Sequence, residues 1–177
     1  LPPAVPPLRE ALGTGLGEAG FLLSLVQVAG MTLGLAVGLM ADTLGLGRSM
    51  LGGLALITLA GAGGALVQPG PHALGWLLAL RALEGVGFLL TVMPGPGLIR
   101  ALAPPAAEKA AMGLWGAYMP LGVALALLVG PPFIARFAWS GWWWLMAVIS
   151  AAAAIWVGLI VPADGPRTAG KGGAFDW

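Results

Sequence analysis

The sequence predicts an all-α integral membrane protein, an up-and-down bundle of transmembrane helices. Three observations carry this. The chain of 177 residues is 59% hydrophobic and 8% charged, where soluble domains carry about 25% charge. Its mean hydropathy is +0.94. Its apolar residues gather into runs of the length that crosses a bilayer core, about 20 residues of helix at about 1.5 Å each. Cysteine is absent and net charge is +1. No disulfide framework, thiolate metal site or basic stripe for nucleic acid follows from such a composition, and no cofactor or metal is expected.

Taken in order, the stretch 1–19 has neither an initiator methionine nor the charged leader of a signal peptide. It reads as the outer end of a helix whose body is missing, followed by a loop. Four runs free of charge qualify as spans outright, at 20–41, 49–67, 110–133 and 142–161. A fifth, 73–99, contains Arg81 and Glu84. The connections 42–48, 68–72, 100–109 and 134–141 are short, which places successive helices side by side. Arg48, Arg100, Lys109, Arg167 and Lys171 fall on one side, Arg9 and Arg136 on the other. The positive-inside rule puts the first set and the C-terminus in the cytoplasm. Trp139, Trp142, Trp143 and Trp144 then cluster where an outer aromatic belt lies.

A charge at mid-helix costs about 2.5 to 3.5 kcal/mol on insertion scales, so Arg81 and Glu84 call for a task or a partner. At i and i+3 they share a helical face and neutralise each other. Eleven residues from Ala73, Glu84 lies roughly 16 Å deep, near the midplane where transporter sites occur. The forked donors of arginine suit a planar anion and the glutamate suits a proton; a pair that merely locks the bundle is the alternative. Gln27 lies at similar depth and either donates to a substrate or bonds a neighbouring helix. Tyr118 and Trp115 either line a cavity or pack. Pro94 and Pro120 are candidate kinks. Gly30, Gly34 and Gly38 repeat every four residues and form a smooth ridge for helix packing. Gly61, Gly63 and Gly64 form no evident stripe.

The stretch LMADTLGLGRSMLGG at 39–53 sets an aspartate and an arginine between two apolar runs. With Gly38, Asp42 and Gly45 in register, it resembles the signature loop G-x-x-x-D-R-x-G-R-R between helices two and three of the major facilitator superfamily. Thr43 stands where the first arginine is usual, and Arg48 comes one step past the next basic positions. Arg81-Ala-Leu-Glu84-Gly85-Val-Gly87 resembles the R-x-x-x-G-x-G signature of the family's fourth helix, and the region from Gly113 to Gly122 with the entry at Gly141-Trp142 resembles the fifth and sixth. The fifth-helix antiporter signature G-P-x-x-G-G is not cleanly present, since Gly130-Pro131-Pro132 lies near the outer end. That leans toward permeases for small anions, of the type that carries cyanate or nitrate.

The resemblance implies the N-terminal half of the fold, with its first helix mostly missing, and 162–177 as the start of a cytoplasmic linker to a missing C-terminal half. It implies secondary active transport of a small solute, an anion on the leaning above, by alternating access in a plasma membrane, the bacterial inner membrane. Gly38, Asp42, Gly45 and Arg48 would form a cytoplasmic gate, and Arg81, Glu84, Gln27 and Tyr118 the substrate or proton-coupling set. Two other classes stay open. A non-transporting scaffold or accessory subunit gains little from intramembrane ions. A membrane-embedded enzyme needs a nucleophile with a base, or a metal cluster. The chain has no H-E-x-x-H, no G-x-S-x-G and one histidine, His72.

Overall fold

The computed structural model describes residues 43–161 throughout, and before them residues 5–13 with single or paired positions between 3 and 36. Six helices occur among the described residues: α1 (Val5–Leu12), α2 (Leu46–Ala65), α3 (Ala73–Val92), α4 (Gly95–Leu102), α5 (Pro105–Gly116) and α6 (Tyr118–Ile160). There is no strand among them. Three stretches are long and apolar enough to cross a membrane: Leu46–Ala65, Ala73–Leu102 and Tyr118–Ile160. The chain is a multi-pass membrane protein with an all-α bundle. Large apolar side chains such as Leu128, Ile155, Trp156 and Leu159 remain exposed on its outside, as a lipid-facing surface requires.

The second stretch is one bent helix. Prolines at 94 and 96 have no N–H to give to the carbonyls of Leu90 and Val92, so α3 stops and α4 resumes after a single turn. Leu98 N–H donates to Pro94 O at 2.9 Å across the bend. The connection expected at 100–109 is shorter: α4 continues to Leu102, and α5 begins at Pro105, a residue suited to the first helical position.

The third stretch is twice the length a bilayer needs, and it is two helices. Ala138 has φ 57° and ψ −179°, and this one residue divides 118–137 from 139–160. The sequence reading placed a connection over 134–141, between the charge-free runs 110–133 and 142–161. The structure reverses the chain at Ala138 alone. Gly141 permits the close return, since a Cβ there would lie 2.6 Å from Phe137 Cβ. This φ/ψ region is essentially reserved for glycine and costs an L-residue about 1 to 3 kcal/mol. Ala138 is exposed, so no packing is at stake. Ala138→Gly is therefore expected to raise stability by about 1 kcal/mol after the added chain entropy of glycine, read as a higher Tm of the purified full-length protein in detergent. An unchanged or lower Tm would show that the backbone there is not strained.

The tryptophans are not an interfacial belt. Trp139, Trp142 and Trp143 are buried with Ala65, Leu77 and Ile134 in the main core cluster, and Trp144 alone is 44% exposed. Their i, i+3, i+4 spacing puts the first three on one helical face. The tight turn at Ala138 then folds that face onto α2 rather than into the headgroups. α2 is the central element, packed against α3 and against α6. The helices meet at glycines. A Cβ on Gly53 would lie 2.5 Å from the carbonyl oxygen of Gly87, and one on Gly87 would lie 2.8 Å from that of Gly53. A Cβ on Gly64 would lie 2.5 Å from the Trp143 indole nitrogen, and one on Gly61 would lie 3.4 Å from Ala147 Cβ. At 100° per residue, Gly53, Ile57, Gly61 and Gly64 fall on one face of α2.

Candidate functional site

Among the described residues, the bent α3–α4 helix carries two charges that face the interior, Arg81 and Glu84. Arg81 Nη1 and Glu84 Oε2 form an ion pair between successive turns, and the side chains keep 16% and 11% of their accessible surface. The pair closes one wall of a cavity of about 60 Å³. Ile57 and Gly61 of α2 form another wall, and Trp143, Met146 and Ala147 of α6 form the third. Everything but the pair is apolar, so each charge relies on the other. Arg81 Nε is buried and has no hydrogen-bond partner. Donors in such positions take water where there is room, and the space here exceeds what one water occupies. It is far too small for a drug-sized solute, whose pockets run to about 300 to 1,000 Å³.

One turn further along the same face stands Phe88, with its ring 6.4 Å from that of Tyr118, which in turn lies 5.2 Å from Trp115. Tyr118 therefore belongs to an aromatic group beyond the ion pair and does not line the small cavity. Trp115 packs over the bend, where Gly95 lacks a side chain that would collide with the indole.

At the start of α2, Gly45 has φ 96° and ψ 151°, a conformation for which any Cβ is costly, and its carbonyl accepts the Ser49 N–H at 3.0 Å. The glycine of the loop signature is thus the residue that turns the chain into α2. Arg48 lies exposed in the first turn. Gly34 sits 3.8 Å, measured from an added Cβ, from the Met93 methyl group beside the bend. Gln27, Gly30, Gly38 and Asp42 lie outside the described residues, so the ridge and the gate are represented by Gly34, Gly45 and Arg48.

The sequence reading missed Gly61, Trp143, Met146 and Ala147 as partners of the pair. The spacing of Gly53, Gly61 and Gly64, eight and then three, was the available signal, and it escapes a search for repeats of four. Among the described residues no group of three or more His, Asp or Glu is placed to hold a metal ion.

An apolar bundle that keeps a paired arginine and glutamate at mid-helix is a membrane protein with a candidate functional site in its core. Residues 1–176 match the Major Facilitator Superfamily, and the chain belongs to that family. It is 25% identical over 160 residues to a major facilitator superfamily multidrug transporter of Aspergillus fumigatus, covering 90% of this chain and 30% of that protein. It is 30% identical over 165 residues to an uncharacterized MFS-type transporter of Mycobacterium tuberculosis, covering 93% of this chain and 36% of that one. It is 27% identical over 138 residues to a methyl viologen resistance protein of Salmonella typhimurium, covering 77% and 27%. The chain thus spans about a third of the length of the curated relatives it matches. No solved structure matches it.

Proposed function

We propose that this chain forms part of a secondary active transporter that moves a small solute by alternating access, with the Arg81–Glu84 pair as its coupling element. The observation that carries the reading is the pair itself, set among apolar walls at mid-helix in a member of this family. The size of its cavity favours a proton or water over the solute as its occupant, so Glu84 is the proton-binding half and Arg81 holds it in place. The solute then binds elsewhere, with the Phe88, Trp115 and Tyr118 group and Gln27 as this chain's candidate contributors. The gate is assigned to Gly38, Asp42, Gly45 and Arg48 on the cytoplasmic side. The C-terminus is cytoplasmic in a plasma membrane, and the partner is a C-terminal half joined through 162–177. The chain is read as the N-terminal half of the transporter.

The absence of the antiporter signature favours a small anion of the cyanate or nitrate type. A second reading follows from the names of two relatives, one a multidrug transporter and one conferring methyl viologen resistance. A flat organic cation would stack on the aromatic group, as cations do on rings.

The test is transport by the full-length protein in proteoliposomes under an imposed pH gradient, with cyanate, nitrate and methyl viologen as probes. Glu84→Gln is expected to keep solute binding and lose the dependence of transport on the pH gradient. Arg81→Gln is expected to lose transport. If both variants transport like the wild type with normal pH dependence, the pair is a structural lock and the coupling role is wrong.

A further inference from the structure

The surroundings of the Arg81–Glu84 cavity differ sharply between its two ends. Toward the 66–72 connection, the three helices present apolar side chains and, from Trp142, an indole N–H that is buried without a partner. α3 offers Leu77 and Leu74, the latter seven residues or about 10 Å from Arg81 along the axis. α2 offers Gly64 and Ala65. The second half of α6 offers Trp143, then Trp142 and Trp139, with the rings of Trp139 and Trp143 edge to face at 5.4 Å. Ala65, Leu77, Trp139, Trp142 and Trp143 belong to the main buried cluster, with Leu74 packed against it and Leu77 wholly buried. Toward the bend, the same face of α3 leads instead to Phe88 and then to the Tyr118 phenol. Thr91, also on that side, gives its hydroxyl to Gly87 O at 2.8 Å.

Trp143 belongs to both the apolar cluster and the cavity wall. Its indole edge rests on Gly64, with no room for even a methyl group between. An aromatic ring pressed on bare backbone excludes water well and is held by little: no hydrogen bond to Gly64 is possible through a missing side chain, and only packing fixes the rotamer. We infer that Trp143 is the seal that closes the coupling cavity toward the 66–72 end, so that Glu84 exchanges protons only from the side of the bend while the indole lies on Gly64. This rests on the coupling role proposed above. Among the residues lining the cavity, Arg81 and Glu84 are the titratable ones. Ile57 and Gly61 from α2 and Trp143, Met146 and Ala147 from α6 carry no ionisable group. The step is proton transfer alone: the Glu84 carboxylate accepts a proton from water in the cavity and later returns it to water, with Arg81 keeping its charge throughout.

The test uses the full-length transporter in proteoliposomes loaded with a pH dye, with proton entry driven by a potassium diffusion potential and no solute present. Trp143→Ala is expected to raise solute-independent proton flux by about tenfold or more, which corresponds to about 1.4 kcal/mol of barrier. Adding Glu84→Gln to it is expected to return the flux to the wild-type level, because the leak runs through that carboxylate. Trp143→Phe, which keeps a ring on Gly64, is expected to stay tight. If the alanine variant does not fold, Trp143→Leu is read in its place, since it keeps apolar bulk without the ring. A folded Trp143→Ala or Trp143→Leu protein that leaks no more than wild type overturns the seal. So does a leak that survives Glu84→Gln, for it would bypass the cavity. Failure of the coupling role itself shows separately, as solute transport by the single Glu84→Gln variant with its pH dependence intact.

Discussion

Arg81→Ala is expected to lower the stability of the full-length protein by about 3 to 5 kcal/mol, the cost of stranding one charge of a buried pair. Glu84 would then stand among Ile57, Met146 and Trp143 with no counter-charge. Removing both partners together, as Arg81→Ala with Glu84→Ala, is expected to cost much less than the sum of the single changes. The cavity would then be wholly apolar, and no ion would be left to desolvate. Thermal or denaturant unfolding of the four proteins in the same detergent gives the coupling energy directly. Additive losses would mean that the two side chains do not see each other in the native bundle. This measurement is independent of transport: a strong coupling energy is expected whether the pair carries protons or only joins turns of α3.

Gly53→Ala and Gly87→Ala are expected to be nearly as damaging. A methyl group on Gly53 would fall 2.5 Å from Gly87 O and 2.7 Å from Thr91 N, and the obstruction is backbone, which no rotamer change relieves. Helices α2 and α3 would have to separate, at a cost of about 1 to 3 kcal/mol or more for each substitution. Gly52→Ala is the internal control, because an added Cβ there meets nothing within 4 Å. It is expected to be neutral or to gain up to about 1 kcal/mol from the better helix propensity of alanine. Equal behaviour of residues 52 and 53 in a melting experiment would show that the crossing is looser than the contact of the two glycines implies.

The fold class was legible in the sequence because the bilayer dictates it: an apolar run must be a helix to satisfy its own backbone, and hydropathy reports the run. The ion pair was legible for a similar reason, since a spacing of three residues fixes neighbours on a helix whatever else is packed around it. The neighbours of the pair were not. Hydropathy gives the same value to a tryptophan in a headgroup belt and to one buried between helices, so Trp139, Trp142 and Trp143 were assigned to the wrong environment. What decides between them is the direction the chain takes at Ala138, and an alanine with left-handed φ has no sequence signature. The crossing at Gly53 and Gly87 was hidden differently. Each helix carries several glycines, and the sequence does not say which of them face one another.

The turn at Ala138 has a mechanical consequence. The stretch from residue 66 to 72 joins α2 to α3 through several non-helical residues, and slack of that kind lets two rods tilt independently. Between 118–137 and 139–160 there is a single residue, and it is already at the edge of the allowed backbone map. That joint has no spare length and no unused torsion. The halves 118–137 and 139–160 are therefore expected to move together, and relative tilting is expected at joints with more slack, such as the 66–72 connection.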